Sequence, residues 1–316
     1  MPASSSLPLP VARWRAFSLA SPAAFCRAMS RIVPALWALS VLLAIAGLYV
    51  GFVVAPTDAT QGEAYRIIYI HVPAAWLSMV LYVAMAFWAV LGWAWKVRMA
   101  SVLAQAIAPT GALFTVLALW TGACWGKPTW GTWWVWDARL TSELILLFLY
   151  VGFMALAASF EELRRADAAS ALLALVGVVN VPIIYFSVKW WNTLHQGASV
   201  SLTAAPKMAS TMLTAMLLMT LACWAYAFAA VFARAMAAVI ERDGRFHMFF
   251  CYRQATDYRR NRARTYRIGY AWSDDLRSWT RDDALAGIDP SEDGWDSEMV
   301  AYPHVFELDG AIYMYY

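Results

Sequence analysis

The sequence predicts an all-α integral membrane protein of six transmembrane helices, followed by a short β-rich segment. Three observations carry that prediction. The 316 residues are 62% hydrophobic and only 14% charged, with a mean hydropathy of +0.53, which is too apolar for a soluble domain. Apolar runs long enough to cross a hydrocarbon core of about 30 Å recur six times. The composition then breaks near residue 237: 14 Lys/Arg and 7 Asp/Glu precede it, and the last 79 residues hold 10 and 14. Residues 1–237 and 238–316 therefore read as two parts of different origin.

The six predicted spans are 34–55, 68–95, 102–124, 140–160, 168–188 and 208–233. Lys and Arg collect on cytoplasmic loops. Arg13, Arg15, Arg27 and Arg31 precede the first span, Lys96 and Arg98 follow the second, Arg164 and Arg165 the fourth, and Arg234 the sixth. All four groups share one side if both termini are cytoplasmic, which sends segments 56–67, 125–139 and 189–207 to the opposite face. The Arg-bearing start runs into a full-length apolar span, so the first helix is expected to act as an uncleaved anchor. Gln105 and Pro109 in the third span are read as helix packing and a kink.

Cys26, Cys124, Cys223 and Cys251 are scattered, without C-x-x-C or C-x-x-C-H. That pattern implies neither a disulfide framework nor covalent haem attachment, and leaves the thiols as small packing groups.

Chemistry collects in the outward segments. "RIIYIHVPAAW" puts His71 at the outer end of the second span, and "KWWNTLHQGASVS" puts His195 in the last outer segment; they are the two histidines of the membrane part. Histidine at a bilayer face is costly and is the commonest neutral metal ligand. The pair could approach a metal from opposite sides, or each could be a hydrogen-bonded interfacial side chain. Between them, "WGKPTWGTWWVWDARLTSE" (125–143) holds five of 18 tryptophans. An interfacial aromatic belt would spread its rings over several helix ends. Here Trp130, Trp133, Trp134 and Trp136 crowd one segment with Gly126 and Gly131.

Zinc or calcium would recruit more thiolates or carboxylates than this region has. Haem would use the whole set: two axial imidazoles, aromatic rings to cover the porphyrin, and cations or Trp N–H donors for the propionates. Arg139, Lys127, Arg66 and Lys189 are the candidate cations. Asp137 reads as a partner for Trp N–H groups or Arg139, or as a cap for the helix beginning near Leu140; a structural role is favoured. Glu143 is expected to pair with Arg139 at i, i+4.

"WGTWWVWDARLTSE" resembles the tryptophan-rich WWD signature of the haem-handling family. "YIHVPAAW" and "WWNTLHQGASVS" are similar to the two histidine segments of its cytochrome c maturation protein C branch, over roughly residues 30–235. The resemblance implies a bacterial inner-membrane protein that binds haem non-covalently at its periplasmic face. It would present haem to a periplasmic haem chaperone, beside ABC transporter subunits and a small single-span accessory protein, with lipid around it, no nucleic acid and no enzymatic step. Carried over residue by residue, His71 and His195 would be the iron ligands and Trp130 to Asp137 the platform, with Arg139 at the edge. The haem lyase branch shares the signature in longer chains. Other readings are a membrane scaffold or small-molecule channel with an aromatic belt, and a membrane-tethered glycan-active fragment.

From about Val239 the sequence turns strand-like in "RFHMFFCYR", "YRIGYAWS", "VAYPHVFEL" and "AIYMYY", with Asp-Gly turns at 243–244 and 309–310. "YAWSDDLRSWTR" and "WDSEMVAYPHVFELDGAIYMYY" resemble blades of five-bladed glycoside-hydrolase propellers. The segment has strands for one or two blades, short of a closed ring, and open strand edges would remain. Some of those hydrolases carry Glu two residues before a Pro-His pair, where this chain has Ala301. Glu298, Asp296 and His304 are therefore weak catalytic candidates. A truncated fusion or a join between two reading frames is the expected origin of the segment.

Overall fold

A computed structural model of the chain describes residues 22–160, 163–191, 193–195, 208–236, 239–242, 245–254, 257, 261, 264–274, 279–301, 303–308 and 311–316. Among the described residues seven α-helices form the membrane part: α1 (Pro22–Tyr49), α2 (Ile68–Trp95), α3 (Arg98–Trp130), α4 (Ala138–Ser159), α5 (Leu163–Gly177), α6 (Asn180–Trp190) and α7 (Ser210–Met236). They supply six segments long and apolar enough to cross a membrane. The protein is a multi-pass membrane protein.

The fifth span, expected to be continuous, is two helices. Pro182 has no N–H to give the carbonyl of Val178, so α5 ends in tight turns in which Val178 and Val179 bond back to Leu175 and Val176. The break turns Asn180 inward, where its Nδ2 donates to the carbonyl of Ser142 on α4 at 2.8 Å. That bond ties the start of α6 to the start of α4.

Packing follows the hairpins of the chain. α2 lies along α3 and α1 along α7, while α4 holds α5 and α6; α2 also touches α5 and α7. Tyr69, Leu77, Tyr82, Met85, Leu146, Tyr150 and Phe153 are fully buried at the centre. Outward-facing Leu42, Ile45, Val53, Phe87 and Phe148 remain exposed, the arrangement a bilayer requires. Arg234 near the end of α7 donates to the Ala106 carbonyl and Thr110 hydroxyl of α3, while α3 passes through Pro109 without ending.

The third span also departs from expectation. The outer segment 125–139 is not all loop, because α3 runs on through Gly126 and Pro128 to Trp130. It stops at Gly131, whose φ of 79° is left-handed and whose N–H returns to the carbonyl of Lys127 at 3.1 Å. Only 131–137 connect α3 to α4.

Beyond the helices, β1 (Val239–Arg242), β2 (Arg245–Tyr252), β3 (Arg267–Ser273) and β4 (Thr280–Arg281) form one antiparallel sheet in sequential order. β5 (His304–Leu308) pairs antiparallel with β6 (Ala311–Tyr315) as a separate hairpin. Three of the strand-like runs read from sequence fall almost wholly in β2, β3 and β6, while of "VAYPHVFEL" only His304–Leu308 is strand; no closed propeller is present among the described residues. The two Asp-Gly turns lie outside the described residues. Asp296 is bound to the Ser291 hydroxyl and, at 3.2 Å, to Tyr316 Oη, a local surface network that lends no support to catalysis.

Candidate functional site

The N-terminal ends of α2 and α4, the C-terminal end of α3 and residue 195 converge on one cavity. Its walls include His71, Gly122, Trp125, Trp130, Arg139, Glu143 and His195, and it encloses about 730 Å³ of empty space including its mouth.

His71 sits in the first turn of α2 and is 8% exposed. His195 follows α6 and is partly buried. Their ring centroids are 6.1 Å apart with planes at 29°. A metal bound at about 2 Å from one nitrogen of each of two opposed imidazoles separates the ring centroids by roughly 6 Å. The pair therefore has the spacing of two ligands on opposite sides of one metal. Among the described residues no three His, Cys, Asp or Glu side chains group as a metal site.

Two indoles flank the pair. Trp125 meets His71 edge-on at 5.7 Å, and Trp130 meets His195 at 5.9 Å. Trp125 is fixed in turn: its Nε1 donates to Gln61 Oε1 at 2.8 Å. Gln61 is delivered by an Asp58 turn, in which the carboxylate accepts from the Thr60 and Gln61 amides at 2.9 Å and from the Thr60 hydroxyl at 2.7 Å. Those bonds, led by the hydroxyl, hold the Asp58 pKa below the usual carboxylate value.

The remaining tryptophans lie elsewhere. Trp133 and Trp136 are 57% and 76% exposed, Trp134 packs on the Trp136 ring at 5.3 Å, and none of the three lines the cavity. Asp137 borders a separate cleft with Thr193 and Leu194. Its Oδ1 accepts from the Leu140 amide at 2.8 Å, capping α4.

Of the four candidate cations, Arg139 alone lines the cavity, with Nη1 donating to the Ile184 carbonyl of α6 at 3.3 Å. Arg66 pairs with Glu63 and reaches the Gly51 and Ala55 carbonyls. Lys127 caps its own helix at the Gly131 carbonyl, 3.1 Å away. Lys189 lies over the Phe186 ring at 5.9 Å.

The expected Arg139–Glu143 bridge is not made. Glu143, buried at the cavity wall, accepts instead from the Ser78 hydroxyl of α2 at 2.7 Å. A turn of helix was enough to align the two on sequence, but Asn180 and Ile184 draw the start of α4 towards α6 while Ser78 claims the carboxylate from α2.

Sequence reasoning left Trp125, Gln61 and Thr121 out of the site. A signal existed for the α3 group, because Ala118, Thr121, Gly122, Trp125 and Thr129 recur at three- and four-residue spacing on one helical face.

The family Heme exporter protein C matches residues 15–249. Among similar proteins, "Heme exporter protein C" of Escherichia coli K12 is 56% identical over 167 residues, 53% of this chain and 68% of its own length. Its namesake in Haemophilus influenzae is 47% identical over 199 residues, 63% of this chain and 81% of its own length. The Bradyrhizobium diazoefficiens protein is 47% identical over 204 residues, 65% and 77%.

Proposed function

Because the chain belongs to the Heme exporter protein C family, we propose that it handles haem for c-type cytochrome biogenesis, holding it non-covalently as cargo between His71 and His195. The observation that carries this reading is the 6.1 Å separation of the two rings, both lining a cavity that Trp125 and Trp130 also wall. Iron would be gripped from both sides, Trp130 would cover part of the porphyrin, and Arg139 is the cation placed for a propionate. Trp133, Trp134 and Trp136, largely outside the cavity, form an apolar rim that an acceptor could meet. Asp137 serves the site by capping α4 and so fixing Arg139.

In this reading the protein lies in the bacterial inner membrane with both termini cytoplasmic and the site periplasmic. A periplasmic haem chaperone takes the cargo, with ABC transporter subunits and a single-span accessory protein as neighbours. No bond-breaking step falls to this chain, and residues 1–237 suffice for the role. The segment 238–316 forms strands enough for one propeller blade and a hairpin, and contributes nothing to the haem site.

The test is the absorption spectrum of the detergent-purified full chain and of His71→Ala and His195→Ala. A low-spin spectrum is expected for the parent, an altered one for each variant, and recovery with added imidazole. Two variants with the parent spectrum in the absence of imidazole would place the ligands elsewhere.

A further inference from the structure

We infer that Thr121 is a positioning residue for haem capture: its hydroxyl fixes His71 as the Nδ1–H tautomer, leaving the Nε2 lone pair for iron. The inference rests on the proposed bis-histidine grip and adds to it a residue outside the direct ligands.

The argument is a count of protons. Thr121 Oγ1 lies 3.1 Å from His71 Nδ1. A threonine hydroxyl has one hydrogen and two lone pairs. On α3 that hydrogen is already directed at the helix's own backbone, to the Leu117 carbonyl one turn back and more distantly to Ala118, at 3.4 Å. Carbonyls only accept, so the hydroxyl has no hydrogen left for the imidazole. The contact to Nδ1 holds only if the ring supplies the proton.

Ring orientation follows from the next residue. A Cβ built on Gly122 would come within 3.0 Å of His71 Cε1 and 3.6 Å of Nδ1, with Nε2 farthest at 4.0 Å. The glycine lets α3 approach the Cε1 edge of the ring, with Nδ1 the nearer of the two nitrogens. Among the described residues Nε2 has no hydrogen bond, and the ring lines the cavity. A metal-ligating imidazole is commonly held by a hydrogen bond from its other nitrogen, which sets the tautomer and raises its basicity. Thr121, one turn before Trp125 on the same face, supplies that bond here from within α3.

The experiment uses the full chain with Thr121→Val, which keeps the branched shape without the hydroxyl, and Thr121→Ser, which restores it. Nitrogen-15 spectra of histidine-labelled, haem-free protein read the tautomer directly. A Nδ1–H form at His71 is expected in the parent and in Thr121→Ser, and a mixture in Thr121→Val. With haem bound, Thr121→Val should release it roughly tenfold faster and show a higher haem reduction potential, because a ligand without its hydrogen-bond partner donates less charge to iron. Equal tautomer populations and potentials in Thr121→Val and parent would overturn the inference, as would Thr121→Ser behaving like Thr121→Val, which would make the residue a packing group. A parent-like haem spectrum in His71→Ala would instead overturn the underlying grip, a separate result from either.

Discussion

His71 and His195 face each other across 6.1 Å from unequal supports. His71 is buried in a helix between Thr121 and Trp125, whereas His195 is partly exposed after the end of α6. The two substitutions should therefore differ in cost. His71→Ala strips a buried partner from Thr121 and is expected to lose about 1–3 kcal/mol of stability, read as a lowered melting temperature of the haem-free protein. His195→Ala should melt as the parent does. Added imidazole should restore the six-coordinate spectrum in both, and equal melting of the two variants would contradict the unequal supports.

The tryptophans divide into two groups with different expected effects. Trp130 lines the cavity against His195, so Trp130→Ala should weaken haem retention in purified protein roughly tenfold, about 1.4 kcal/mol. Trp133, Trp134 and Trp136 lie outside it, and their joint replacement by Ala should leave insertion and topology unchanged because the spans carry insertion. That triple variant should retain more haem than Trp130→Ala but mature fewer c-type cytochromes in cells, as expected of a rim met by an acceptor. Protease mapping, haem content and haem-stained cytochromes test the three parts, and altered topology would show the segment to be structural.

The spans and the histidine pair were legible because burial in lipid writes itself as long apolar runs and makes any polar residue within them conspicuous. Local backbone chemistry was harder to read. Gly126 and Pro128 look like loop residues, yet α3 continues through them and ends only at Gly131; as a result Trp125 and Trp130 sit on the helix instead of with Trp133, Trp134 and Trp136. Thr121 reads as an ordinary span residue until its back-bond to Leu117 is known. The Arg139–Glu143 spacing suggested a bridge, but helix periodicity cannot show that Ser78, 65 residues away, competes for the carboxylate. Pro182 was the visible cause of the split fifth span, although hydropathy alone runs smoothly across it.

The Asp58 turn gives a pH dependence whose sign is fixed. Its carboxylate is held below the ordinary value of 3.8 by Thr60 and Gln61, so its stabilising contribution is complete above that value. It is lost as pH falls through the still lower folded pKa. The Thr60 and Gln61 amides should keep constant hydrogen-exchange protection down to about pH 4 and lose it below. In Asp58→Ala the protection should be low throughout, and Trp125, deprived of a positioned Gln61, should become more accessible to fluorescence quenchers. Unchanged protection in Asp58→Ala would show that the turn is held by other bonds.

The strand segment offers the sharpest separation between parts of the chain. The described residues that line the cavity all lie between Gln61 and His195, and among the described residues no extensive packing joins the helices to the strands. A chain stopped after Ala237 retains the six spans, both outer histidines and all tryptophans of the site. It should bind haem and support cytochrome c maturation as the full chain does, compared at matched membrane abundance in a strain lacking its own maturation protein. Expression could only benefit, because β4 and the β5–β6 hairpin leave strand edges to which other chains can pair. The family match, however, runs to residue 249, into β2. A second variant stopped after Phe249 controls for those added residues. Restoration by the full chain alone would make the strands a working domain; restoration by the full and Phe249 chains, but not the Ala237 chain, would move the functional boundary into β2.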